Sequence, residues 1–141
     1  MFQLPFWNSN SDKIKKVGFE DIKHAIENPS RFILINTLSN DDQDVLIKTT
    51  IASDTEEKVL NELMNDFQKD EPIIVYGKNS CDNSVEKKCK QLVSLGFDKV
   101  YMYIGGMFEW VLLQDVYGFA EFPTNRKVMD ILRYSPVICI R

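Results

Sequence analysis

The residues best placed to do chemistry in this 141-residue chain are Cys81 and its neighbours, in the run Gly77-Lys78-Asn79-Ser80-Cys81-Asp82-Asn83-Ser84. The run joins an apolar stretch to an amphipathic one. A strand–loop–helix turn of that kind aims backbone N–H groups and a helix N-terminus at one point, a geometry that attracts anions. A thiol held there is a nucleophile when ionised. Asp82 beside Cys81 disfavours a thiolate, whereas Lys78 favours one. Two readings follow: Cys81 as a working nucleophile, or as a partly exposed loop cysteine without turnover. Lys78 and Asn79, with the loop N–H groups, suit a phosphate, sulfate or carboxylate; the alternative is a solvated polar turn. Gly77 suits a position of positive φ or close backbone approach.

Other candidates offer less. Cys89 falls on the apolar face of a helical stretch and Cys139 lies between Ile138 and Ile140; both read as small hydrophobes. The three cysteines have no metal-binding spacing, and the single His24 gives no basis for a histidine metal site or a Ser-His triad, so no metal or cofactor is expected. An odd cysteine count without a secretory signal points to a reducing, cytoplasmic setting. The net charge of −4, with no basic stripe, argues against nucleic acid as a partner. No apolar run approaches the roughly 18 residues of a membrane span.

The elements that must position the loop alternate strand and helix, which predicts an α/β fold: a mostly parallel sheet with helices on both faces. A strand is expected at 17–19, a helix at 20–27, a buried strand at 32–35 and a short strand at 45–47. A helix capped by Ser53 or Asp54 follows, with Val59, Leu60, Leu63, Met64 and Phe67 as its core stripe. Residues 72–77 read as the strongest strand. Asn83 with Glu86 reads as a capping box opening a helix that Gly96 ends. A strand is expected at 100–104, an apolar helix at 107–116, a helical segment from Pro123 to Leu132 and an ordered tail or strand at 137–140. Tyr117, Phe119 and Phe122 extend the apolar helix toward an exposed aromatic patch. The aromatic start, with Phe2, Leu4, Phe6 and Trp7, reads as a tail that packs on the domain or an interaction handle.

The order Ile73-Ile74-Val75-Tyr76-Gly77, polar loop, Gly96-Phe97, Val100-Tyr101, Gly105-Gly106 and Trp110 resembles the rhodanese superfamily. The resemblance covers residues 17–118, leaving 1–16 as an N-terminal tail and 119–141 as a C-terminal extension packed on the domain. It implies a single rhodanese-like domain in which a thiolate directly after the central strand takes up sulfur as a persulfide. In that slot this sequence has Gly77. The loop also lacks the family's arginine and is about two residues longer, and Asn36 and Thr37 stand where an acidic residue is usual.

These departures imply a catalytically degenerate module that binds a small anion or a partner protein through Gly77, Lys78, Asn79, Ser80, Asp82, Asn83 and Ser84. The alternative is a non-standard sulfurtransferase or persulfide carrier using Cys81. A phosphatase would need the same thiol and an arginine cradle, and the loop has no arginine.

Overall fold

The computed structural model describes residues 14–140; the aromatic residues Phe2, Leu4, Phe6 and Trp7 lie outside the described residues. Strand β1 (Ile14–Val17) leads into α1 (Phe19–Glu27), then β2 (Ile33–Asn36), β3 (Thr50–Ile51), α2 (Ser53–Asn65), β4 (Ile73–Tyr76), α3 (Ser84–Ser94), β5 (Val100–Tyr103) and α4 (Gly106–Tyr117). The five strands form one sheet in the order β1-β5-β4-β2-β3, and every pairing is parallel. The α/β architecture with a parallel sheet is therefore as expected.

The central strand β4 is buried along its whole length because both sheet faces are covered. Its side chains alternate between two cores. Ile74 and Tyr76 face α1, α4 and the C-terminal segment, in a cluster with Ile22, Leu34, Trp110, Phe122 and Tyr134. Ile73 and Val75 face α2 and α3, with Leu60, Cys89, Leu92 and Phe97.

Several expectations need correction. β1 begins at Ile14, three residues early, so residues 14–16 pair with β5 instead of belonging to a tail. Val45, Leu46 and Ile47 are buried but form no strand; Ile47 makes an isolated antiparallel bridge to Thr124, and the strand of this region is β3. Tertiary partners fix the segment. Ile47 N donates to Tyr76 Oη and Leu46 N to Asn125 Oδ1. Of the α2 stripe, Phe67 leaves the core: it is 90% exposed, with φ +58°, just past the helix end. Residues 123–130 are irregular, with only a short 3-10 turn at Ile131–Tyr134, and 137–140 form no strand. Phe122 is buried against Trp110, while Tyr117 and Phe119 are exposed. Cys139 is exposed, unlike Cys89. Among the described residues, no helix is long and apolar enough to cross a membrane.

Candidate functional site

Parallel strands deliver their following loops to one edge of the sheet, where open α/β folds place their ligands. Here the loops after β2 and β4 meet at that edge. The loop after β4 is built around Asp82. Its Oδ2 accepts from Lys78 N at 3.0 Å and its Oδ1 from Ser84 N at 2.9 Å. The Ser84 hydroxyl also donates to Oδ1 and shares a 2.8 Å hydrogen bond with Thr37 Oγ1, tying this loop to the one after β2. Asp82 therefore supplies the oxygen that begins α3. The Asn83–Glu86 capping box expected from the sequence does not form; Asn83 makes no side-chain cap bond. A carboxylate beside a helix N-terminus is favoured by the backbone dipoles. Burial works against its charge. The Ser84 hydroxyl, the N–H groups of Lys78 and Ser84 and the Lys78 charge outweigh that, and the carboxyl is held below its ordinary 3.8.

Asn79 organises the rest of the turn. Its Oδ1 accepts from Cys81 N at 2.9 Å, and its backbone oxygen accepts from Asp82 N at 3.2 Å. Its Nδ2 donates to Tyr134 O at 2.9 Å, a buried bond that spans 55 residues. The N–H groups of Lys78, Cys81, Asp82 and Ser84 are all used within the loop. Its first carbonyls are engaged too. Met107 N donates to Gly77 O and Phe108 N to Lys78 O, both at 2.9 Å. Gly106 permits this contact: its φ is +66°, and a Cβ there would lie 2.8 Å from Gly77 O.

Gly77 is a glycine for reasons of space. Its φ is not positive, but a Cβ would meet Asp82 Oδ2 and Val85 Cγ2 at 2.5 Å and Thr37 Oγ1 at 2.8 Å. Cys81 is different. It is exposed and lines a cleft of about 380 Å³ with Thr37, Leu38, Lys78, Asn79 and Cys139. Ser80 and Asn83 face a separate cavity of about 190 Å³, with Lys16 and Glu86. Asn79 and Asp82 border both spaces. Cys89 is fully buried, and burial, with the nearby Glu86 charge, pushes its thiol up to about 12.

Sequence reasoning missed the C-terminal contribution. Arg133 pairs with Asp42 at 3.0 Å and Asp44 at 2.7 Å, and its hydrogen bond holds the Asp44 carboxyl below the ordinary range. That places the Tyr134 carbonyl over Asn79 and residues 135–139 beside the cleft. No spacing in the sequence signals this contact.

An all-parallel sheet carrying a tight strand–loop–helix turn at its carboxyl edge is the class of domain defined by these features. The family model for the rhodanese-like domain matches residues 19–113, and the chain belongs to that family. Solved structures agree on the fold. Ygr203w of Saccharomyces cerevisiae, described as a homologue of single-domain rhodanese and the Cdc25 phosphatase catalytic domain, superposes with a TM-score of 0.60 at 16% identity, over 89% of this chain and 96% of that one. BH2092 of Bacillus halodurans gives 0.56 at 20% identity over 74% of each chain. A full-length protein from Lactobacillus plantarum gives 0.56 at 15% identity, over 79% of this chain and 88% of that one. No curated protein sequence matches.

Proposed function

We propose that this chain is a rhodanese-like module without sulfur-transfer chemistry, that Gly77 stands where the family's nucleophilic cysteine would, and that the loop 77–84 serves to bind a partner protein. The observation that carries this reading is the crowding at Gly77. A nucleophile must be in place before its ionisation matters, and the space its side chain would need holds Asp82, Val85 and Thr37. The same carboxylate argues for a protein partner over a free anion: it takes the N–H groups of Lys78 and Ser84 that an anion would use. One structural relative, Ygr203w, is described as a protein tyrosine phosphatase of the rhodanese family. In this chain a phosphate approaching the loop would meet the Asp82 charge and no loop arginine. The odd cysteine count is what supports a reducing, cytoplasmic setting.

The second reading, Cys81 as a persulfide carrier, is favoured by its exposure in the cleft next to Lys78. Intact-mass spectrometry after incubation with thiosulfate separates the two. The expected result is no adduct of ~32 Da on the wild type or on Cys81→Ser. An adduct on the wild type alone would replace the first reading with the second. Thermal unfolding with added phosphate or sulfate tests the anion alternative: a saturable rise in Tm would restore it.

A further inference from the structure

Residues 136–140 differ from the rest of the C-terminal segment. Up to Ser135 the chain is held by the Arg133 ion pairs, the Asn79–Tyr134 bond and the bonds from Ser135 to Leu132 O. Beyond it, among the described residues, no hydrogen bond ties 136–140 to the body of the domain; the Cys139 thiol donates only to Val137 O at 3.6 Å. Val137, Ile138 and Ile140 are largely exposed. Cys139 nevertheless lines the same cleft as Cys81, and both thiols are exposed. Cys139 is four steps along the chain from Ser135, a reach of up to about 14 Å at roughly 3.5 Å per step. That length lets the tail adjust to the narrow separation a disulfide requires.

We infer that Cys81 and Cys139 form a dithiol site, which a peroxide or a small disulfide oxidises to an intramolecular disulfide that clasps the tail across the cleft. With hydrogen peroxide, one thiolate attacks a peroxide oxygen and the O–O bond breaks, giving a sulfenic acid and releasing water after proton uptake. The second thiolate attacks the sulfenic sulfur and displaces hydroxide, which leaves as a second water. The two thiols lose two electrons and two protons, and the peroxide is reduced to two waters. With a small disulfide, the first attack breaks its S–S bond, giving a mixed disulfide and one small thiol, and the second attack releases the other small thiol as the intramolecular disulfide forms. The buried Cys89 takes no part. The inference does not depend on the partner-binding reading, because it concerns only how the two thiols react.

The test is peroxide treatment of the reduced full chain, followed by digestion without reduction and peptide mapping. The expected product is a cross-linked peptide pair joining Cys81 to Cys139, with the thiols countable after denaturation falling from three to one. Cys81→Ser and Cys139→Ser, both at exposed positions, should each fail to give the cross-link and, with oxidised glutathione, should stop at the mixed disulfide. Separate sulfinic acids on Cys81 and Cys139, or only disulfides between two molecules, would overturn the inference.

Discussion

Gly77 and Cys81 lie four residues apart in one loop, yet their surroundings are opposite. At Gly77 the chain is closed in: its own loop, helix α3 and the neighbouring loop leave no room for a single added carbon. At Cys81 the side chain stands open to a cleft while its own N–H is secured by Asn79. A thiol gains reactivity from converging dipoles only where those dipoles point. Here they point at Asp82, whose carboxylate takes the N–H groups of Lys78 and Ser84. The focus of this turn is filled by the protein's own carboxylate.

The comparison breaks most sharply at its closed end. Gly77→Cys should destabilise the fold by about 1–3 kcal/mol through overpacking and should gain no persulfide with thiosulfate, as read by denaturant unfolding and intact mass. Wild-type stability together with sulfur uptake would show that the slot opens at little cost. Asp82→Ala should cost about 1–3 kcal/mol, because the N–H groups of Lys78 and Ser84 lose their acceptor and α3 loses its cap.

Acid probes the same residue more gently. The Asp82 carboxyl is depressed in the folded state. Its contribution is therefore complete above the ordinary carboxyl value and is lost as pH falls through the lower folded value. Wild-type stability should drop more steeply than that of Asp82→Asn below about pH 4, measured by urea unfolding across a pH series. At the open end, Cys81→Ser should change stability by less than about 0.5 kcal/mol, as expected of an exposed side chain. A larger loss would mean that Cys81 is more enclosed than its place in the cleft implies.

Features set by local pattern were legible in the sequence. The continuous apolar run of β4 and the helical stripe of α3 are properties of short windows, and the Gly-Phe, Gly-Gly and Trp punctuation carried the family. Asn83 is the N-cap residue of α3 as the sequence suggests, but the side-chain oxygen comes from Asp82, one residue earlier, because both are good cap residues and only the position of Ser84 N decides between them. The expected strand at 45–47 failed for a different reason. Its apolar residues are buried by Tyr76 and the 122–125 segment, 29 and 79 residues away in the hydrogen bonds that hold it. The approach of Tyr134 to Asn79 was hidden in the same way. The reason for Gly77 was legible only as one of two options, since close approach and positive φ select the same residue type.

The family match stops at residue 113, but the hydrophobic core does not. Phe122 stacks edge-on against Trp110, whose indole N–H donates to Pro123 O, and Tyr134 is buried in the same cluster. The unit that folds is thus longer than the unit that homology outlines. A fragment trimmed to the recognisable boundary would carry Trp110 as an open apolar face with an unanswered donor, and would leave Asn79 without its acceptor beneath the loop. Anyone producing this module in isolation should retain the chain through Ser135, and should suspect truncation before loss of function if a shorter piece aggregates.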